Sequence, residues 1–138
     1  MSADEVQAFL SEGTRTGKLA TLTPSGHPHV IPIWFLLDGE DIVFTTGKDT
    51  VKGKHILADG RVSLCVDDER PPFSFVHIRG SAHGVLDSPD LLAWATRLGA
   101  RYMGEERAAE YGKRNAVPEE LLVRLTPQRV IAERDLAA

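Results

Sequence analysis

Three lysines, three threonines and a helix start fall within one short stretch of the sequence. In DIVFTTGKDTVKGKHILADGRVSLCV (residues 41–66) an apolar run of Ile42, Val43 and Phe44 ends in Thr45 and Thr46. Gly47 and Lys48 follow, and a helical turn opens at Asp49 or Thr50, either of which can cap its free amides. Lys48 precedes that turn and Lys52 lies inside it. Free N–H groups, the positive end of a helix dipole and two ammonium groups suit a phosphate or carboxylate. The same residues equally fit a short helix capping a barrel with its lysines in solvent. Sequence alone leaves both readings open.

Other reactive residue types carry weaker signals. His27 and His29 are the close histidine pair, but no further ligands stand at metal spacing, so no metal is assigned. Cys65 has Ser63 and Asp67 as same-face neighbours and nothing that would lower its pKa, which fits a packed thiol better than a nucleophile. His77, Arg79, Ser81 and His83 share a strand face that reads as a solvated exterior. Asp67, Asp68 and Glu69 form an acidic turn with no mark of an acid/base pair. TGKDT is neither a dinucleotide-binding glycine motif nor a P-loop.

The elements that must position these groups are short strands with helices inserted between them. Ala3–Glu12 reads as a helix and Lys18–Thr23 as a strand, followed by the turn PSGHP. His29–Leu37 (HVIPIWFLL) reads as one strand whose alternate faces are both largely apolar. One face fills a core, and the other calls for a subunit or a flat ligand. Pro32 interrupts its ladder and opens its backbone. Ile42–Thr46 is the third strand, Thr50–Ala58 a helix ended by Asp59 and Gly60, and Arg61–Asp67 and Phe73–Leu86 the next strands. A helix capped by Ser88, with Pro89 first, carries Leu91, Ala95, Leu98 and Tyr102 as its buried stripe. Trp94 and Tyr102 belong to core or dimer contacts. Glu105–Arg114 is a further helix, and Leu121–Leu125 and Arg129–Glu133 close the chain around a TPQ turn. This pattern predicts a mainly β protein, a small closed antiparallel barrel.

Composition sets the outer bounds. The chain has 138 residues, 42% hydrophobic and 26% charged, which suits a single domain (1–138) with its own core. A net charge of −4 argues against general nucleic-acid binding. One cysteine points to a reducing, cytoplasmic setting, and neither a membrane span nor a signal peptide is expected.

GKLATLTPSGHPHVIPIWF, TTGKDTVKGKHILADGRVSL, PPFSFVHIRGSAHG, and RYMGEERAAEYGKRN with LLVRLTP occur in that order. Together they resemble the pyridoxamine 5'-phosphate oxidase-like split-barrel family, and within it the flavin/deazaflavin oxidoreductases described as probable coenzyme F420-dependent enzymes. The resemblance implies a six- to seven-stranded antiparallel split β-barrel acting as a homodimer, with cofactors in grooves between subunits. It implies an oxidoreductase that passes a hydride from reduced F420 to a small conjugated acceptor. Alternatives are an FMN-dependent oxidase or reductase, or a flavin-, deazaflavin- or haem-binding protein without turnover. By the same resemblance His29, Val30, Ile31, Pro32 and Trp34 pass along the tricyclic ring. Thr45 and Thr46 line the cofactor chain, Lys52 binds its phosphate, Lys48 is a second charge, and the acidic tail follows Lys48 and Lys54. No catalytic side chain is assigned; solvent or His29 can supply the proton. FMN-binding members commonly carry an arginine before that lysine, where this chain has Val51. The arginine and histidine pattern that holds pyridoxamine phosphate is absent from the C-terminal RVIAERDLAA. F420 is therefore expected over FMN, and pyridoxamine phosphate oxidation is not expected.

Overall fold

Helix α1 (Ala3–Ser11) leads into seven strands: β1 (Gly17–Leu22), β2 (Pro28–Ile33), β3 (Leu36–Asp38), β4 (Asp41–Gly47), β5 (Arg61–Asp68), β6 (Ser74–Leu86) and β7 (Glu120–Glu133). Helix α2 (Val51–Ala58) joins β4 to β5. Helix α3 (Leu91–Met103), a 3-10 turn (Glu105–Arg107) and α4 (Ala108–Asn115) join β6 to β7. The computed structural model describes residues 1–138.

Every pairing is antiparallel, in the order β2-β1-β5-β6-β7-β4-β3. The two edge strands, β2 and β3, are neighbours in the chain with only Trp34 and Phe35 between them. The sheet therefore curls back on itself, but no hydrogen-bonded ladder joins its two edges. The result is the expected mainly β split barrel. Strict alternation builds its core: on β5, Val62, Leu64 and Val66 point inward while Arg61, Ser63 and Cys65 face out. Ile33 and Phe35 beside the split join Phe44, Leu64, Val76, Val123 and Leu125 in one cluster, which α1 and α2 close with Leu10 and Ile56.

The split explains why His29–Leu37 is two strands rather than one. Phe35 turns fully inward, and its backbone has no strand opposite. An unpaired buried amide is unfavourable, so α3 supplies the partners. The Tyr102 hydroxyl accepts from the Phe35 N–H at 3.1 Å, and Arg101 donates to the Phe35 carbonyl at 2.7 Å. Arg101 also holds the carbonyls of Leu10 (2.7 Å) and Gly13 (3.0 Å), and Tyr102 donates to that of Arg15 (2.8 Å). Burial lowers the pKa of the Arg101 guanidinium, as expected for a cation bound only to carbonyls. Arg101→Ala should destabilise the fold by about 3 kcal/mol, a fall of roughly 10 °C in Tm. A thermal melt checks this, and a shift under about 2 °C would remove Arg101 from this role.

The closing strands are also joined differently. Leu121–Leu125 and Arg129–Glu133 form one strand, β7, because TPQ does not turn. Pro127 lies opposite Gly80, where the ladder shifts register between Arg79 and Gly80, and this bulge absorbs the missing donor. A Cβ on Gly80 would sit 2.3 Å from the Thr126 carbonyl oxygen, so the close approach needs glycine. Ser88 and Pro89 precede α3 rather than open it: Asp90 is the cap residue, and its N–H donates to the Ser88 hydroxyl at 3.2 Å. The expected helix over Glu105–Arg114 divides into the 3-10 turn and α4.

Candidate functional site

The end of β4 and the start of α2 are fastened to each other. Thr50, not Asp49, is the N-cap. Its Oγ1 accepts from the Gly53 N–H at 3.1 Å and donates to the Gly47 carbonyl at 2.7 Å. Thr46 Oγ1 lies 3.2 Å from Thr50 Oγ1. Gly53 presses so close to β4 that a Cβ there would fall 2.0 Å from the Gly47 carbonyl oxygen. This contact fixes the direction in which the first turn of α2, and with it Lys52, projects.

That turn borders a cleft of about 300 Å³ at the mouth of the barrel split. Pro32, Ile33, Trp34 and Leu98 form its apolar side, and Thr45, Thr46, Gly47, Thr50, Lys52, Asn115 and Glu120 its polar side. Trp34 is stacked on Tyr102, with ring centroids 5.1 Å apart and planes 3° from parallel, and tilts against Tyr111 at 5.8 Å. Its indole is thereby held at one wall. Lys52 is half-buried and makes no ion pair. A cation so placed, beside first-turn amides and three hydroxyls, is suited to an anion.

Of the residues singled out in the sequence, Pro32, Trp34, Thr45, Thr46 and Lys52 meet in this cleft. His29, Val30 and Ile31 lie farther back on β2, and Lys48 pairs with Asp49 at 3.0 Å. The two apolar faces of β2 have different fates. Ile33 is buried toward the barrel, with His29 and Ile31 half-buried behind it. Pro28, Val30 and Pro32 stay open on the other face, with Val30 59% exposed. His29 meets the edge of His55 at 5.7 Å and leaves a buried Nδ1 without a partner, while His55 Nδ1 is 2.8 Å from Thr21 Oγ1.

Glu120 escaped the sequence reading. Antiparallel pairing sets it opposite Gly47, which brings the first residue of β7 into the cleft. Burial raises its carboxyl pKa above the ordinary value, against the opposing pull of the Thr45 hydroxyl and the Lys52 charge. Only the β4–β7 register could have revealed it. Leu98 was visible as part of the stripe on α3, whereas Asn115 at the end of α4 carried no signal.

The remaining candidates do not assemble elsewhere. Burial pushes the Cys65 thiol pKa up, Asp67 adds to that shift and Lys18 opposes it, so the thiol stays protonated. His77 lies 2.9 Å from Ser63 Oγ on the outer face of β5 and β6. No group of three or more His, Cys, Asp or Glu side chains is arranged to hold a metal ion. No helix is long and apolar enough to cross a membrane.

Comparison with known proteins places this geometry. The conserved hypothetical protein Rv2991 from Mycobacterium tuberculosis superposes with a TM-score of 0.83 at 25% identity, over 96% of this chain and 84% of that one. An F420 reductase superposes with a TM-score of 0.66 at 26% identity, over 90% of this chain and 94% of that one. HutZ, the haem storage protein from Vibrio cholerae, shares the fold with a TM-score of 0.75 at 19% identity, over 99% and 98% of the two chains. No curated protein sequence matches the chain. The model of the family described as pyridoxamine 5'-phosphate oxidase matches residues 2–133, nearly the whole barrel, and the chain belongs to that family.

Proposed function

We propose that the cleft at the split binds a phosphate-bearing flavin-type cofactor, and that the cofactor is reduced F420 serving a small-molecule oxidoreductase. The observation that carries this is Lys52: a half-buried cation without a carboxylate partner, at a capped helix start, facing an apolar wall. A ring, a hydroxylated chain and a phosphate require that sequence of surfaces. When bound, the reduced cofactor supplies a hydride to a conjugated acceptor. The protein's residues hold and orient it. Lys52 and the first-turn amides of α2 take the phosphate, Thr45 and Thr46 meet the chain, and Pro32 and Trp34 meet the ring, with the backbone of His29, Val30 and Ile31 continuing along its edge. Lys48, released from Asp49, meets the acidic tail. The fit favours F420 over FMN in one respect: Val51, 52% exposed, offers no second cation for a phosphate monoester. The likeness to an F420 reductase supports the same choice. Titration of the purified protein with F420 and with FMN tests it. Tighter F420 binding, with acceptor-dependent oxidation of the reduced form, is expected; binding without any oxidation would favour a carrier over an enzyme.

The cleft in one chain is at the small end of the range for ligand sites. The open face of β2 supplies a reason: a second copy would cover Val30 and Pro32 and complete the ring pocket. A homodimer is therefore part of the proposal. Val30→Glu should shift the sedimentation profile toward monomer and weaken cofactor binding in parallel. An unchanged dimer in that variant would place the interface on another face.

A further inference from the structure

We propose that Glu120 makes anion binding in this cleft proton-linked: the site takes up one proton, on the Glu120 carboxyl, when an anionic group seats beside Lys52. This rests on the proposed cofactor site and adds a control that the site's other residues do not predict.

The cleft holds one cation, Lys52, and one carboxyl, Glu120. Glu120 lies across the ladder from Gly47, the residue whose carbonyl is tied to the Thr50 cap, so its position is set by backbone pairing. The two groups are not an ion pair, since none of the salt bridges includes either of them. Each keeps capacity for a ligand. With Glu120 ionised, the cleft is neutral overall and presents a negative group to an arriving phosphate. With Glu120 protonated, it carries a net positive charge and gains an O–H donor. Burial favours the protonated form, so the proton is easily supplied.

No other charge around the carboxyl can take this role. The facing residues Thr45, Thr46 and Gly47 of β4, Leu98 of α3 and Asn115 of α4 are uncharged. On the β4–α2 turn, Lys48 and Asp49 neutralise each other. The neighbouring Glu119 is exposed, and its carbonyl accepts from the Lys48 N–H at 2.8 Å. The sign follows. Binding of an anion of fixed charge should tighten as pH falls through the Glu120 titration, because the proton removes a repulsion.

The test uses two probes: inorganic sulfate, whose charge is constant across the range, and the phosphodiester-bearing F420, whose own ring-hydroxyl ionisation is common to both proteins and cancels when they are compared. F420 affinity of the wild-type protein and of Glu120→Gln is measured at pH 5.5 and at pH 8.0. Between pH 8.0 and pH 5.5 the wild type should gain about tenfold more affinity than Glu120→Gln does. Every other ionisable group of the protein remains in the variant, so the slope that disappears belongs to Glu120. A variant that keeps the wild-type slope would overturn the proposal. If F420 and FMN fail to bind at any pH, the cofactor assignment fails by itself, and sulfate then decides this inference. Thermal protection by sulfate that is greater at pH 5.5 in the wild type and equal in Glu120→Gln supports it; the same protection profile in both proteins sinks it.

Discussion

Lys52→Ala should weaken binding of F420 or FMN by about 30-fold while leaving riboflavin affinity and thermal stability unchanged. A hydrogen bond from an ammonium to a phosphate is worth roughly 2 kcal/mol, and each 1.4 kcal/mol is tenfold in affinity. Stability should be spared because Lys52 makes no ion pair, and burial already favours the neutral form of the nearby Glu120 carboxyl. Riboflavin, which lacks the phosphate, separates the two ends of the site. A variant that loses riboflavin and FMN affinity equally would mean that Lys52 shapes the cleft rather than gripping the anion. A variant with unaltered affinity for both F420 and FMN would move the phosphate elsewhere.

Gly53→Ala should do more damage than its size suggests. Within a helix, alanine is ordinarily favoured over glycine by about 1 kcal/mol. Here the new methyl would lie 2.0 Å from the Gly47 carbonyl oxygen, a backbone atom that no rotamer change can move. Overpacking of this kind costs roughly 1–3 kcal/mol, enough to outweigh the propensity gain. The helix must back away from β4, taking Lys52 with it and stretching the Thr50 hydrogen bonds to Gly47 and Gly53. The expected result is a Tm lower by about 5 °C together with at least a tenfold loss of F420 affinity. Val51→Ala, two residues away and exposed, should change neither. A Gly53→Ala protein as stable and as tightly binding as the parent would show that the β4–α2 contact does not set the site.

Local pattern carried much of this molecule. The alternation of Val62, Leu64 and Val66 marked β5, and the stripe through Leu91, Ala95 and Leu98 marked α3. Thr50 and Asp59 bound α2 where cap chemistry put them. The unread parts depend on distant partners. The break at Trp34 and Phe35 exists because Tyr102 and Arg101, far along the chain, satisfy the Phe35 backbone. Nothing within HVIPIWFLL announces that. Pro127 reads locally as a turn, yet the bulge beside Gly80 on another strand accommodates it within β7. The site divides in the same way. Thr45, Thr46 and Lys52 were legible because one segment places them together. Glu120 enters through a register that only the folded sheet defines.

A crystal structure of the protein with F420 bound reaches the central claim most directly. The cofactor's phosphorus should lie within hydrogen-bonding range of Lys52 Nζ and the first-turn amides of α2, with the ring against Pro32 and Trp34 beneath a second copy of the chain. Phosphate density remote from α2, with Lys52 extended into solvent, would contradict it.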